Sequence, residues 1–318
     1  MPTRSTRILR AVSFAITVAF TASLAARAQT APDCRSPWGP DDQRGATNRL
    51  TPARTLEAAA LIKLGKVYQL GRLYEMGMPL YGARSFALWV PEMRGPLGSN
   101  QLTWNEEFVA AQIGQVGTQF DGLGHIGING RFFNCSEAKD FVRAEGLTRL
   151  GIENVGSFFT RGVLIDVAAY KAVARLEKGY EITPEDLKGA LAREGMTLRE
   201  GDAVILHTGW GSLWMKDNTT YNSGAPGIGL KGGQWLADQK VVLVGADTGG
   251  VEVAPNPDDP GAEAIVHQLM ITRNGIHFLE NLDTSELARD RAYEFAFVFS
   301  PLKLKGGTGS PGNPIAVR

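Results

Sequence analysis

Three polar side chains in one glycine-rich stretch have the types and spacing of a metal site. Gln115, Gln119 and Asp121 all have odd numbers, so in an extended segment their side chains would project to the same side. Carboxylate and amide oxygens bind hard or borderline divalent ions. His125 follows four residues after Asp121. The alternative is a glycine-rich turn with ordinary polar side chains, because no strict ligand pattern such as His-x-x-x-His is present.

A second group of candidate ligands lies nearer the end of the chain. His267 belongs to an apolar run with a helical pattern, and Glu280 lies in the apolar stretch Phe-Leu-Glu-Asn-Leu. We expect a carboxylate in such a stretch to be paired or to bind a cation, because burying a lone charge is costly. The alternative is a glutamate that ends a strand and faces water.

Helix and strand patterns alternate along the rest of the chain. Capping residues and apolar periodicity predict helices from Pro52 to about Leu64, from Pro184 to about Gly195, and from Pro260 to Met270. Strands are predicted over residues 66–70, 162–167, 203–207, 241–246 and 295–299. Several strands are apolar on both faces, which indicates an α/β protein with a mixed sheet covered by helices. The tail after Lys305 is rich in glycine and proline, which predicts a surface strap.

The N-terminus is typical of an export signal. Three arginines precede the apolar run Ala11 to Ala26, and Ala26-Arg27-Ala28 fits a cleavage site that would leave Gln29 first. The alternative is a membrane anchor, but the run is short for a span and the cleavage site follows at once. We therefore expect a signal peptide over residues 1–28 and a single periplasmic or secreted domain over residues 29–318, with no membrane association after cleavage.

Charge and motif content favour a small-molecule substrate. The chain has 33 basic and 33 acidic residues, and no basic run indicates a nucleic-acid partner. Neither a Gly-x-Ser-x-Gly elbow nor a Walker A loop is present, which argues against a serine hydrolase and a nucleotidase. Cys34 and Cys135 could pair in an oxidising compartment or stay separate thiols, and their spacing does not decide between these.

The order of these motifs resembles the cyclase-like hydrolase family, which includes bacterial kynurenine formamidases and isatin hydrolases. The family signature His-x-Gly-Thr-His-x-Asp-x-x-x-His corresponds here to the segment from Gln115 to His125. The downstream His and Glu-Asn-Leu of the family correspond to His267 and Glu280-Asn281-Leu282. The resemblance covers nearly the whole mature chain, and it implies a swivelling β/β/α fold and a homo-oligomer.

The signature departs from the family at its first two histidines, which are Gln115 and Gln119 here. This version resembles the trans-dienelactone hydrolase branch, which is zinc-dependent. Because neutral amide oxygens bind a cation more weakly than imidazole, we expect one divalent ion and not two, zinc first and manganese as the alternative. The expected ligands are Asp121 and His267, helped by Gln115, Gln119 or Glu280.

The resemblance predicts a metal-dependent hydrolase that opens a small lactone with an activated water. His125 is the expected general base or proton shuttle, with Glu280 as the base if it is not a ligand. The alternative for His125 is a structural histidine. The alternatives for function are an amide hydrolase, acting on an N-formyl-aryl or cyclic amide, and an exported binding protein without catalysis.

Several further residues could line a pocket or belong to the core. His207 ends an apolar strand, and a buried histidine with satisfied hydrogen bonds is as good an interpretation as a pocket residue. No role is assigned to His277. The same two interpretations apply to the aromatic residues Phe120, Phe132, Phe133, Trp210 and Trp214.

Overall fold

Among the described residues, a nine-stranded mixed sheet forms the centre of the protein. The computed structural model describes Met1, residues 34–92 and residues 94–318. Apart from Met1, the expected signal peptide over residues 1–28 lies outside this part of the chain. Within the described residues, no helix combines the length and the apolar character that crossing a bilayer requires.

The elements follow one another along the chain. The strands are β1 Val67–Gln69, β2 Phe86–Trp89, β3 Arg94–Leu97, β4 Leu102–Trp104, β5 Phe108–Ala111, β6 Gln119–Asp121, β7 Arg131–Phe132, β8 Ser136–Glu137, β9 Val142–Arg143, β10 Gly146–Leu147, β11 Phe158–Asp166, β12 Glu181–Ile182, β13 Ala203–His207, β14 Gly227–Ile228, β15 Leu243–Ala246, β16 His277–Glu280, β17 Glu294–Phe299, β18 Gly309–Pro311 and β19 Ile315–Val317. The helices are α1 Pro52–Ala59, α2 Ala138–Phe141, α3 Val167–Tyr170, α4 Pro184–Glu194, α5 Asn218–Tyr221, α6 Leu230–Asp238, α7 Ile265–His267 and α8 Ser285–Arg289, and a π-helix over Gln268–Arg273 continues α7.

The middle of the central sheet is parallel and buried on both faces. The sheet order is β1-β19-β17-β11-β13-β15-β16-β6-β18, in which β11, β13, β15 and β16 run parallel. Val204, Ile205 and Leu206 in β13 are all fully buried, so both faces of this strand are covered. The predicted α/β fold with a mixed sheet is confirmed, and each predicted strand overlaps a strand of this sheet.

A capping box explains the start of α4, whereas α1 is shorter than predicted. Thr183 and Asp186 exchange side-chain to backbone hydrogen bonds at the start of α4, which form a capping box. By contrast, α1 ends at Ala59, before the predicted end at Leu64. The side chain of Leu64 is exposed, and its backbone N–H donates to the Arg318 carbonyl as the chain turns into β1.

The third predicted helix begins only at Ile265, so its predicted start at Pro260 is wrong. The Asn256 side chain accepts hydrogen bonds from two backbone N–H groups that follow it, and such turns compete with a helix. Glu252 fixes the later start, because its Oε2 accepts a hydrogen bond of 2.7 Å from the backbone N–H of Val266. The cap brings Glu252 against the first turn of the helix.

The glycine- and proline-rich tail belongs to the central sheet, so the predicted surface strap is wrong. β18 pairs with β6, and β19 lies between β1 and β17. Ser310 and Ala316 are fully buried. A Cβ at Gly309 would lie 2.6 Å from the Gly114 carbonyl oxygen and 2.7 Å from that of Phe120. Glycine in the tail therefore permits close packing against the segment that carries the candidate ligands.

The four strands β2 to β5, residues 86–111, form a hairpin that we call the ribbon, and it carries exposed apolar side chains. In the ribbon β2 pairs with β5 and β3 pairs with β4, both antiparallel. Leu88, Trp89 and Phe108 on this ribbon are exposed. Surfaces of this kind are common at protein interfaces. One chain does not test the predicted homo-oligomer, which stays a prediction.

Cys34 and Cys135 form a disulfide, which decides between the alternatives that their spacing left open. The bond joins residues 101 positions apart and attaches the start of the described chain to the turn after β7. A cross-link over so long a loop restricts the unfolded chain much more than the folded one.

We expect the double substitution Cys34→Ser and Cys135→Ser to lower the free energy of unfolding by about 2–4 kcal/mol, because the unfolded chain regains the entropy of the open loop. Urea titration followed by tryptophan fluorescence measures the change. A reductant should destabilise the wild type by a similar amount and leave the double variant unaffected. Equal stability of the two proteins would contradict this role of the disulfide.

Candidate metal centre

The pairing of β6 with β16 brings the first candidate ligands together. Gln119 lies opposite Glu280, and Asp121 lies opposite Phe278. Residues that face one another across an antiparallel pair project from the same side of the sheet. The Gln119 amide Nε2 accordingly donates to Glu280 Oε2 at 2.6 Å, across 161 residues of sequence.

His267 approaches this pair from α7 and completes a cluster of three candidate ligands. One atom from each of Asp121, His267 and Glu280 lies within 4.8 Å of the others. His267 Nε2 is 3.0 Å from Glu280 Oε1 and 3.6 Å from Asp121 Oδ2. All three residues are more than nine-tenths buried. Within the described residues, this is the one group of acidic, histidine or cysteine side chains with metal-binding geometry.

Gln115 reaches the cluster from a turn, so its predicted place in an extended segment with Gln119 is wrong. β6 begins at Gln119, and the chain reverses before it at Gly117, where φ is +61° and a Cβ would lie 2.7 Å from the Tyr74 ring. Gln115 Nε2 nevertheless lies 3.4 Å from Asp121 Oδ1, and its Oε1 lies 3.4 Å from Gln119 Nε2. The turn and the strand together bring all three predicted side chains to one place.

The chemistry of the cluster fits a divalent cation. Asp121 Oδ2 is buried and accepts no hydrogen bond from the described residues. A second carboxylate, Glu280, lies beside it, and two buried carboxylates without a cation would be costly. One imidazole nitrogen and two carboxylate oxygens are a ligand set that zinc binds, and that manganese also accepts.

Glu252 orients the histidine of the cluster. His267 Nδ1 lies 2.5 Å from Glu252 Oε1, so the proton of that nitrogen is directed to the carboxylate and Nε2 is left to face Asp121 and Glu280. A carboxylate behind a ligating histidine is a recurring support of metal sites. Glu252 was not among the predicted site residues, although its place in Val251-Glu252-Val253 repeats the signal that marked Glu280, an acid between apolar residues.

The protonation of the cluster opposes metal binding at low pH. Burial alone would lower the pKa of His267, but its hydrogen bonds to Glu252 and Glu280 outweigh burial and hold that pKa well above its ordinary value. Burial raises the pKa of Glu280 to about 7, and the charge of Asp121 adds to this effect. A cation must displace these protons, so metal affinity should rise as the pH rises through neutrality.

His125 lies at the accessible side of the cluster. Its Nε2 is 3.9 Å from Asp121 Oδ1, too far for a hydrogen bond, and its side chain is 18% exposed. Burial lowers the pKa of His125, and the Asp121 charge opposes this only in part. The ring makes no hydrogen bond to the backbone within the described chain, which distinguishes it from a structural histidine.

Two residues that were not predicted to belong to the site form hydrogen bonds with the backbone of residues 117–121. His277 Nδ1 donates to the Asp121 carbonyl oxygen at 3.0 Å, and its ring stacks on Phe120 with centroids 4.8 Å apart. Asn281 Nδ2 donates to the Gly117 carbonyl oxygen at 2.7 Å. The sequence signal for His277 was weak, because a histidine inside a short strand pattern does not reveal which carbonyl it faces.

His207 lies apart from the cluster. His207 is the last residue of β13, and its Nδ1 lies 2.6 Å from Thr284 Oγ1. It lines a cleft of about 440 Å³ together with Arg72 and Asp247. None of Asp121, His267 and Glu280 lines this cleft, so His207 is a pocket residue of a different surface.

The aromatic candidates divide between two apolar clusters. Phe120 and Phe133 are fully buried in the main core, and Phe132 packs at its edge. Trp210 and Trp214 belong to a smaller cluster that also contains Val116, the residue after Gln115. The core interpretation is therefore confirmed for Phe120 and Phe133, while the two tryptophans pack beside the turn that carries a candidate ligand.

Comparison with known proteins supplies the family. The sequence pattern of the cyclase family matches residues 55–253. A crystal structure described as that of a novel cyclase is 32% identical to this chain, with a TM-score of 0.82, and the match covers 91% of this chain and 100% of the other. The chain belongs to the cyclase family. Among curated proteins, none matches this chain significantly.

Two isatin hydrolases share the fold. Isatin hydrolase A from Ralstonia solanacearum is 20% identical, with a TM-score of 0.60, and the match covers 85% of this chain and 98% of that protein. Isatin hydrolase A from Labrenzia aggregata, bound to benzyl benzoate, is also 20% identical, with a TM-score of 0.56 and coverage of 81% and 94%. At this level of identity, the likeness is one of fold.

We expect Glu252→Gln to weaken zinc binding by about 10–100-fold, because the ring of His267 loses the charged partner that orients it. Calorimetric titration of zinc into the metal-free protein, with a competing chelator, measures the affinity. Glu263→Gln, an exposed acid in the same loop, is the matched control and should bind as the wild type does. Thermal unfolding of both metal-free variants separates a loss of affinity from a loss of folding, and unchanged zinc affinity in Glu252→Gln would contradict the role of this carboxylate.

Proposed function

We propose that this cyclase-family protein is a metal-dependent hydrolase that opens a small lactone. The observation that carries the proposal is the buried cluster of Asp121, His267 and Glu280, in which one carboxylate oxygen has no hydrogen-bond partner among the described residues. Family membership and the shared fold of the isatin hydrolases support hydrolysis of a bond in a small ring.

The ligand set follows from the cluster. Asp121, His267 and Glu280 would hold the cation. Gln115 and Gln119 turn their amide nitrogens toward the carboxylates, so either amide group would have to rotate to offer its oxygen to the cation. A divalent ion bound there lowers the pKa of a water molecule and polarises a carbonyl group. We expect zinc before manganese, because the set combines an imidazole with carboxylates.

Proton transfer falls to His125 in this proposal. Its lowered pKa keeps the ring neutral near pH 7, so Nε2 can accept a proton from the attacking water and return it to the leaving oxygen. Glu280 is less suited to be the base, because its two oxygens already accept from Gln119 and His267 and face the cluster.

The two glutamines favour a lactone over an amide. An ester carbonyl is attacked more readily than an amide, and its oxygen depends less on protonation to leave than an amide nitrogen does. A single ion with weak amide ligands therefore suits a lactone, in agreement with the resemblance to trans-dienelactone hydrolase. The isatin hydrolases among the structural neighbours favour the second candidate, hydrolysis of a cyclic or N-formyl-aryl amide.

We infer that the protein is exported. The N-terminal arginines, the apolar run and the Ala26-Arg27-Ala28 site support cleavage before Gln29. The disulfide between Cys34 and Cys135 supports an oxidising compartment, where such bonds persist. Mass spectrometry of the protein from its producing cells should find Gln29 at the N-terminus of a periplasmic or secreted form, and an intact cytoplasmic chain would contradict export.

We expect the zinc-loaded protein to hydrolyse dienelactone with a higher kcat/KM than N-formylkynurenine. Asp121→Asn should lower kcat/KM by ~1,000-fold, since a bound cation supplies several kcal/mol of transition-state stabilisation. Asp238→Asn, an exposed acid on α6, is the control and should keep the wild-type rate.

Three results would decide between the candidates. Faster turnover of N-formylkynurenine would favour the amide hydrolase. Full activity in Asp121→Asn would exclude the proposed cluster as the metal site. The non-catalytic binding protein would hydrolyse neither compound when loaded with metal, and its ligand affinity would survive chelation.

A further inference from the structure

Arg84 is a cation beside the candidate ligands, and it has no ion-pair partner among residues 34–92 and 94–318. Its Nη2 lies 3.4 Å from Gln115 Oε1, and Gln115 Nε2 lies 3.4 Å from Asp121 Oδ1. The guanidinium is therefore one amide group away from the cluster. On its other side it lies over the Tyr81 ring, 5.6 Å from the centroid.

The ribbon holds Arg84 in this place. The backbone N–H of Ser85 donates to Gln112 Oε1 at 2.7 Å, and Phe86 pairs with Ala111 where β2 meets β5. These contacts join the chain before the ribbon to the chain after it, so that the residue before Ser85 faces the turn that carries Gln115. Arg84 is half-buried, so part of its surface is open to solvent.

The charges of the site leave Arg84 uncompensated once a cation is bound. Asp121 and Glu280 carry two negative charges when ionised, and a divalent ion neutralises both. The two glutamines and a neutral imidazole add no charge. Other arginines with access to carboxylates are paired: Arg161 is 2.8 Å from Asp202, and Arg72 is 3.3 Å from Asp283. Glu252 adds one negative charge, but it contacts His267 at 2.5 Å and makes no ion pair with Arg84. The guanidinium of Arg84 is therefore a charge with which a substrate anion can pair once the cation is bound.

We propose that Arg84 is the residue that binds the carboxylate of the substrate lactone. An arginine fork binds a carboxylate through two parallel hydrogen bonds, which would orient the lactone ring as well as attract it. Because the amide group of Gln115 contacts both Arg84 and Asp121, the lactone carbonyl and the carboxylate must belong to one compact molecule. This inference rests on the proposed hydrolase function.

A matched pair of substrates tests the assignment. Dienelactone carries a carboxylate, and the corresponding methylene lactone has the same unsaturated ring without it. Arg84→Met should lower kcat/KM for dienelactone about 30-fold, chiefly through a higher KM, because a charge-assisted pair is lost. The rate with the neutral lactone should change less than about threefold. Arg84→Lys should restore part of the loss, since it keeps the charge without the fork.

Arg175→Met is the control for removal of an arginine. Arg175 also lies over an aromatic ring, that of Trp210 at 5.7 Å, and it makes no ion pair within the described residues. Unlike Arg84 it has no contact with the candidate ligands. The control should treat both lactones as the wild type does. Equal losses with the two lactones in Arg84→Met, or no loss with either, would overturn the proposal and leave the hydrolase function standing.

A binding measurement separates the two proposals. Calorimetry on the zinc-loaded protein compares succinate, which has two carboxylates, with butyrate, which has one. Succinate should bind about tenfold more tightly in the wild type, and the preference should vanish in Arg84→Met. If neither lactone is hydrolysed and succinate is still preferred through Arg84, the anion site stands and the proposed function fails. If the wild type shows no preference for succinate, the anion site fails.

Discussion

Two carboxylates buried side by side set the requirements that the rest of the site meets. Asp121 is fully buried and Glu280 nearly so, and one oxygen of Asp121 has no hydrogen-bond partner in the described chain. Ionised carboxylates in such a place repel one another and lose their hydration. Either protons or a cation must compensate them. The raised pKa of Glu280 and the raised pKa of His267 show the first solution, and a divalent ion would be the second.

The fold brings these groups together from distant parts of the sequence. The antiparallel register of β6 on β16 places Gln119 beside Glu280, and β18 covers the other edge of β6. Glu252 both starts α7, through the backbone of Val266, and orients the ring of His267. One carboxylate thus couples the position of the helix to the orientation of the histidine.

The members of the buried cluster were easier to predict than the backbone that carries them. Asp121 and Glu280 were singled out as polar groups among glycine-rich or apolar neighbours, and the family resemblance added His267 as an expected ligand; the structure brings the three side chains together. The prediction of an extended segment was wrong at Gln115, because alternation of side chains requires a strand and Gly117 makes a turn there. The prediction of a surface strap was wrong for a related reason, since the glycines that suggested a loop permit close packing of β18.

The missed residues depend on tertiary contacts. Glu252 lies fifteen positions before His267, and only the folded chain shows which histidine it faces. Arg84 lies before the ribbon, and no local pattern connects it with Gln115. Local sequence could show that a charge needed a partner, but the partner was set by sheet register and by loop packing.

Anomalous diffraction from crystals of the zinc-loaded protein would show whether the two buried carboxylates hold a cation. We expect one strong zinc peak within bonding distance of Asp121, His267 and Glu280. A zinc peak at the cleft of His207 and Asp247, or an empty cluster at saturating zinc, would contradict it.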